Sequence, residues 1–179
     1  MDDYKDLKPP FNRPLYPGKL SDRKGLDDWL NLNLSNYLDR GRDSDNAMAA
    51  LEKQLFERDV PTVLLHFGDH QPSFDGAMHS LDKVLPPDWG ENRHWATYYM
   101  LKSNQPDAPK FDLPIADIVY LGGMLQQAAG VPLDEYYTAN RLLRERCHGR
   151  YEECADKRLV PSYHDFIFRE IKDLGDGVD

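Results

Sequence analysis

The 179-residue chain has few cysteines, a deficit of positive charge and no long apolar run. It carries 22 lysines and arginines against 31 aspartates and glutamates, a formal net charge of -9. This balance disfavours nucleic acid and anionic membrane surfaces as partners, because both would repel the chain. No run reaches the roughly 18 consecutive apolar residues of a membrane span. Residues 1–14 also lack the basic and apolar regions of a signal peptide, so we expect a globular chain with no targeting signal of its own.

The two cysteines, Cys147 and Cys154, stand at the ends of the segment CHGRYEEC. This spacing permits a small disulfide loop if Gly149 lets the chain turn back. Two reduced thiols are the alternative that the residues leave open. A zinc site is less favoured, because a set of four ligands is not evident around the adjacent His148.

The pattern of apolar residues predicts a mixture of helices and strands. Residues 1–25 are proline-rich and polar, which favours an extended lead-in. Apolar residues at helical spacing, with capping residues and prolines, predict helices at 26–40, 45–59, 114–130, 133–147 and 163–174. Strands are predicted at 62–67 and 95–103, and the loop between them has one short helical pattern at 76–85.

The run at 62–67 is apolar on both of its alternating faces, which is typical of a strand covered on both sides. We therefore expect an α/β fold, specifically part of an α/β/α sandwich with a mostly parallel sheet. Two strands are too few for a sheet of normal width. The sheet is thus expected to be incomplete here, with further strands hidden in loops or supplied by a longer parent protein.

A carboxylate and an imidazole stand side by side where the first strand ends, at Gly68-Asp69-His70. Ligands gather beyond the carboxyl ends of strands in open α/β sheets, and we expect Gly68 to permit a tight turn there. The carboxylate oxygen and imidazole nitrogen suit zinc, manganese or another divalent ion. Two adjacent ligands are only half of a site, and a turn-capping aspartate beside an exposed histidine is the simpler interpretation of the spacing alone.

Four segments resemble, in the same order, parts of the alkaline phosphatase and sulfatase superfamily, in particular its lipoteichoic acid synthase and phosphoglycerol transferase branch. TVLLHFGDHQPSF at 62–74 is similar to the metal-binding strand of that branch, which ends in Gly-Asp-His or Ser-Asp-His. The other three segments are NYLDRGRDSDNAMAALEKQL at 36–55, ATYYMLKSN at 96–104 and LPIADIVYLGGMLQQAAGVP at 113–132. The resemblance covers roughly residues 10–170 and implies that residues 26–179 are the C-terminal part of such a domain.

This resemblance implies that Asp69 and His70 bind manganese, magnesium or zinc in a centre that cleaves phosphate or sulfate esters. The metal would polarise the ester oxygen and lower the pKa of the nucleophile. It also implies that His94, just before the second strand, contacts the phosphate or sulfate group. The family's Thr, Ser or formylglycine nucleophile and its further acidic ligands have no match in this chain. We therefore expect no catalytic residue here and no activity of the chain alone.

The resemblance further implies a parent enzyme that works on the periplasmic or extracellular side, behind membrane helices, where a disulfide would form. An exposed sheet edge would favour self-association of the isolated chain. The alternative is a non-catalytic α/β module for binding or assembly, in which the Asp-His pair is structural. Lipid-linked phosphoglycerol, phosphoethanolamine and sulfate esters all remain open as substrates.

The other conspicuous polar and aromatic residues have simple structural interpretations. His66, inside the first strand, is expected to be a core histidine rather than a ligand. Four tyrosines are expected to pack in the core or at an interface, namely Tyr98, Tyr99, Tyr136 and Tyr137. Four arginines are expected to form a solvated face with neighbouring glutamates, namely Arg141, Arg144, Arg146 and Arg150.

Overall fold

The computed structural model describes residues 28–72, 74, 87–89 and 95–170. The helices are α1 (Asp28–Phe56), α2 (Leu121–Ala128), α3 (Glu135–Arg146) and α4 (Leu159–Asp165), and the strands are β1 (Val63–Phe67) and β2 (Tyr99–Ser103). Short 3-10 turns lie at Pro87–Trp89 and Ile118–Tyr120, and a π-helical turn follows α4 at Phe166–Glu170. The chain divides into two compact units, 1–58 with 72–80 and 59–71 with 81–179. Among the described helices, none has the length and apolar character needed to cross a membrane.

The first unit contains α1, a single helix of 29 residues where two helices were predicted. The predicted break between residues 40 and 45 is absent, and within this stretch Arg42 lies 2.6 Å from Asp39 and 3.6 Å from Asp43. The predicted apolar stripe is also wrong in part. Leu51 is exposed, whereas the most buried side chains between residues 33 and 56 are polar. They are Asn33, Ser35, Asn36 and Asp39.

The second unit contains a two-stranded sheet in which β1 and β2 pair antiparallel. Leu65 lies opposite Leu101, and Phe67 lies opposite Tyr99. The expected mixture of helix and strand is therefore present, but the predicted parallel arrangement is wrong for these two strands. An apolar run reports burial and not direction, and most of β1 is only half-buried rather than covered on both faces. The apolar run therefore predicted more burial of β1 than the structure shows.

One hydrophobic core lies where the helices of the second unit meet the sheet. Tyr120 and Met124 are completely buried, and Leu65 and Leu101 pack against the cluster from facing positions of the two strands. The other buried members of the core are Leu121, Leu143, Cys147, Cys154, Tyr163 and Ile167. The face of the sheet that carries the odd-numbered residues therefore packs against the core. The carboxyl end of β1, at the exposed Phe67, lies at the edge of this core.

The later helices agree with the sequence pattern except at two starting points. Helix α3 is confirmed, and Asp134 caps it by accepting a hydrogen bond from Tyr137 N at 2.7 Å. Helix α2 begins at Leu121 rather than Pro114, and Gly130 follows it with φ of 68°, a conformation that favours glycine at helix ends. Helix α4 begins at Leu159, earlier than predicted. The lead-in at 1–25, the short helix at 76–85 and the end of the last helix lie outside the described residues.

Candidate metal centre

The carboxyl end of β1 is held against the chain that leads into β2. Gly68 N donates a hydrogen bond to Tyr98 O at 3.1 Å, which extends the strand pairing by one residue. A Cβ at position 68 would collide with Oγ1 of Thr97 and lie 3.3 Å from its Cβ. Gly68 is therefore needed for this close approach between segments, and not for an unusual turn, since its φ is not positive.

Replacing Gly68 by alanine is expected to lower the free energy of unfolding by about 1–3 kcal/mol, the usual cost of forcing atoms into a packed contact. Adding Thr97→Ala removes the colliding hydroxyl and should restore most of the loss, which urea unfolding of the single and double variants would measure. Gly41→Ala is the matched control. Nothing lies within 4 Å of a Cβ at position 41, so that variant should gain up to about 1 kcal/mol of helix stability. Equal losses in the Gly68 variant and the double variant would contradict the assigned contact.

Asp69 and His70 lie together on the surface just beyond β1. Their side chains are 79% and 64% exposed, and Asp69 Oδ1 accepts a hydrogen bond from His70 N at 2.9 Å. The ring nitrogen Nδ1 of His70 lies 3.0 Å from Gln71 O. A carbonyl oxygen only accepts, so Nδ1 carries the hydrogen of that bond. In the neutral ring the lone pair then belongs to Nε2, which lies 3.5 Å from Asp69 Oδ2.

The spacing of these two atoms fits two ligands of one divalent ion. With bonds of about 2.1 Å, two ligands of a tetrahedral ion lie roughly 3.4 Å apart. Metal-binding histidines commonly donate their other ring nitrogen to a backbone carbonyl or carboxylate, as His70 does to Gln71 O. Within the described ranges, no group of three or more potential ligands is present. The geometry of Asp69 and His70 is compatible with two ligands of an ion, and metal binding by them stays a prediction.

A side-chain hydrogen bond fixes the turn that presents the pair. Gln71 Nε2 donates to Ala96 O at 2.7 Å, which ties the residue after His70 to the segment before β2. The same segment includes Tyr98, whose ring meets His66 edge to face at 5.3 Å. His66 is half-buried in β1 and points at Tyr98 rather than at Asp69. His94, the predicted contact for the phosphate or sulfate group, lies outside the described residues.

A cleft of about 560 Å³ lies next to the carboxyl end of β1, and Asp69 is part of its wall. Four exposed aromatic side chains line it, namely Phe67, Trp89, Trp95 and Tyr98. Tyr98 is 54% exposed and therefore does not pack in the core, and its packing at an interface stays a prediction. Tyr99 and Tyr136 do pack against the core, as expected. These aromatic residues could not be recognised as one group from the sequence, because positions 67, 89, 95 and 98 follow no period and come from separate segments.

The loop between the two cysteines also lines the cleft. Cys147 and Cys154 form a disulfide with a Cα–Cα distance of 4.7 Å, which settles the alternative that the sequence left open. Gly149 in this loop has φ of 80°, and a Cβ there would collide with the backbone oxygen of Ile115. Asp117 accepts a hydrogen bond from Tyr151 N, which fastens the loop to the segment before α2. The loop thereby brings Arg150, Glu152 and Glu153 to the cleft.

The arginines of this region divide between surface and core. Arg150 Nη1 donates to Glu153 Oε2 at 3.0 Å, and Arg141 pairs with Glu145 at 3.1 Å. Arg144 is only 5% exposed, so the prediction of a solvated face is wrong for it. Its guanidinium stacks on Phe111 at 4.9 Å and donates to Gln127 at 2.9 Å. Burial lowers the pKa of Arg144 from its ordinary value.

Comparison with known proteins gives one informative match. No protein family matches the chain, and no solved structure does. An uncharacterised protein of Haemophilus influenzae is 28% identical over 141 residues, a stretch that covers 77% of this chain and 24% of that protein. The chain thus spans about a quarter of the length of the curated relative that it matches.

Proposed function

We propose that this chain is the C-terminal part of a metal-dependent enzyme that hydrolyses or transfers phosphate or sulfate esters. In this proposal Asp69 and His70 supply half of a divalent-metal site, and phosphoglycerol or phosphoethanolamine transfer is the activity of the parent enzyme. A bound ion would polarise the ester oxygen and favour a deprotonated nucleophile. The chain's own contribution is to hold two ligands at the end of a strand. The nucleophile, the other ligands and the completed sheet come from the rest of the parent.

One observation carries the proposal, namely the way in which His70 is oriented. The bond from Nδ1 to Gln71 O leaves the lone pair of Nε2 beside Asp69 Oδ2, at the spacing of two metal ligands. Asp69 Oδ1 accepts the hydrogen bond from His70 N, so Oδ2 is left as the second atom that could bind the metal.

Two further findings support the proposed parent enzyme. One concerns its length, and the other concerns its place on the periplasmic or extracellular side. The match to the Haemophilus influenzae protein covers 24% of that protein, which agrees with a chain that is one part of a longer polypeptide. The disulfide between Cys147 and Cys154 is the kind of bond that persists in oxidising compartments. In the complete domain, we infer that the antiparallel pair β1–β2 joins further strands in an α/β/α sandwich whose sheet is mostly parallel.

The second candidate function is a non-catalytic module for binding or assembly. The exposure of Asp69 and the bond from His70 N to its Oδ1 favour it, since that bond is an ordinary turn cap. In that case the two side chains would have no ligand, and unpaired strand edges would lead copies of the chain to associate.

Calorimetric titration of the purified chain with zinc and with manganese distinguishes between the two candidate functions. Asp69→Asn keeps an oxygen for the turn cap but loses the negative charge, so we expect metal affinity to fall about tenfold or more. The free energy of unfolding should stay unchanged, because the cap remains. His70→Gln should weaken binding in the same way.

The sequence offers a matched control in His164 and Asp165, a second exposed pair of the same two residue types. Asp165 is already paired with Arg169 at 3.3 Å on its own helical segment. Asp165→Asn should therefore leave metal affinity as it is in the wild type. Equal metal affinity in the wild type and in Asp69→Asn would refute the half-site and leave the non-catalytic module.

A further inference from the structure

Helix α3 carries an apolar stripe whose two ends are charged. Its members are Glu135, Ala139, Leu142 and Arg146. They follow one another at spacings of four, three and four residues, so they lie within about 60° of one another around the helix axis. Leu142 is 45% exposed and Ala139 is half-buried. A different side of the helix holds its buried residues and packs on the core.

A groove runs beside this stripe. Its apolar lining includes Leu133, Ala139, Leu142 and Phe166. Phe166 belongs to the π-helical turn after α4, so the groove lies between that turn and α3. Isolated exposed apolar residues are ordinary on a protein surface. An exposed leucine in line with a small residue on the same helix face differs from them, because it provides a projection and a recess for another helix to pack against.

The charged residues at the two ends of the stripe have no ion pair among the described residues. Glu135 lies in the first turn of α3 and Arg146 in the last, and both are exposed. The pKa of Asp156 is lowered mainly by a hydrogen bond from Arg158, and Arg146 adds only a weaker attraction to that carboxylate. The helix dipole explains the sign of the charge at each end. It does not require both charges to lie in line with the apolar stripe.

The stripe is complementary to itself. The point midway between Ala139 and Leu142 is also midway between Glu135 and Arg146. A two-fold axis through that point brings a second α3 alongside the first in the antiparallel direction. Each Glu135 then faces Arg146 of the other copy, and each Ala139 faces Leu142 of the other copy. Two-fold contacts of one surface with itself are the commonest form of protein self-association.

We propose that two copies of this chain associate through α3, with the two helices antiparallel about this axis. Leu142 of the second copy enters the groove beside Ala139 and Phe166. The two pairs of Glu135 with Arg146 fix the register, because a shift by one helical turn would separate the opposite charges. This inference goes beyond the proposed function and does not depend on it. One helix face is smaller than a standard interface, so we expect a dissociation constant on the order of 100 µM.

Sedimentation equilibrium of the full chain, from about 10 µM to about 1 mM, tests for this dimer. We expect a monomer at the lowest concentration and a dimer at the highest. Raising the salt from 50 mM to 500 mM sodium chloride should weaken the dimer about threefold or more, because exposed ion pairs are screened. This measurement uses the wild type and needs no variant to fold.

Reversal of one charge at a time identifies the surface. Glu135→Arg and Arg146→Glu each place like charges opposite each other at both ends of the dimer, so each should weaken self-association about tenfold or more. An equal mixture of the two variants should associate nearly as well as the wild type, because each end of the mixed dimer again has one acid and one base. Lys53→Glu in α1 is the control, with the same change in net charge as Arg146→Glu and no expected effect. Circular dichroism checks that each variant is folded.

Three outcomes would overturn the inference. A chain that is monomeric at every concentration would leave this face of α3 to another part of the parent polypeptide. Self-association that neither charge reversal weakens would assign the contact to another surface, such as the strand edges of β1 and β2. Folded variants that associate no better when mixed than alone would contradict the antiparallel pairing. Metal titration remains the separate test of the proposed function, and neither result bears on the other.

Discussion

Raising the pH from 10 to about 11.5 is expected to remove about 3 kcal/mol from the free energy of unfolding, through two buried tyrosines. Tyr120 is 0% exposed and Tyr163 is 8% exposed. Burial raises the pKa of Tyr120 above 10.0, the Asp117 carboxylate raises it further, and Arg144 offsets part of this effect. Burial also raises the pKa of Tyr163, with a further contribution from its hydrogen bond with Tyr136.

The direction of the effect follows from proton binding. In the unfolded chain both phenols ionise near their ordinary pKa of 10.0, while in the folded chain they stay neutral. Above pH 10 the unfolded state therefore binds fewer protons than the folded state, and stability falls as the pH rises. Below pH 10 the two states bind the same protons at these groups, so the full stability is present there. Urea unfolding at pH 8, 10 and 11.5 measures the loss.

Tyr120→Phe is the decisive variant for this prediction. The hydroxyl of Tyr120 has no hydrogen-bond partner among the residues that the structure describes, so its removal should cost nothing at neutral pH. The alkaline loss should then fall by about half. Tyr37→Phe, at an exposed tyrosine of α1, is the control and should leave the loss unchanged. The same alkaline loss in Tyr120→Phe as in the wild type would show that other groups cause it.

Replacing Cys147 and Cys154 by alanine is expected to lower the free energy of unfolding by about 2.5 kcal/mol, the loop-closure entropy of an eight-residue loop. The two cysteines are 3% and 1% exposed, so lost packing adds to this figure. The bond closes the loop that carries Arg150, Glu152 and Glu153 into the cleft.

Treatment with a phosphine reductant provides the internal check. The reduced wild type should lose stability much as the alanine variant does, and the alanine variant should not respond to reductant. Unfolding in urea with and without reductant supplies both measurements. A wild type whose stability is the same in the oxidised and reduced states would contradict a stabilising role for this bond.

The sequence predicted which segments form elements better than it predicted how they are arranged. Apolar residues at helical spacing after Pro132 located α3 correctly. Burial in a strand does not encode its direction, so the antiparallel pairing of β1 and β2 was missed. Residues 41–44 were predicted to separate two helices, but α1 continues through them. The polar and capping residues of that stretch are compatible with a helix interior as well as with a helix start.

The candidate site was predictable only where its residues are adjacent in the chain. Asp69 and His70 are neighbours, and the strand before them is strongly apolar. The cleft was missed because Trp89, Trp95 and the disulfide loop meet only after folding. Likewise, Gly68 is explained by Thr97, which lies 29 positions away in the chain. The roles of His94 and of the metal pair stay predictions.

The central claim is that Asp69 and His70 bind one divalent ion together, and paramagnetic NMR with a trace of manganese tests it most directly. The ring signals of His70 should broaden first, well before those of His164, whose neighbour Asp165 is paired with Arg169 at 3.3 Å. Asp69→Asn should abolish this difference between the two histidines. Equal broadening of His70 and His164 in the wild type, or preferential broadening of His70 that survives in Asp69→Asn, would contradict the shared site.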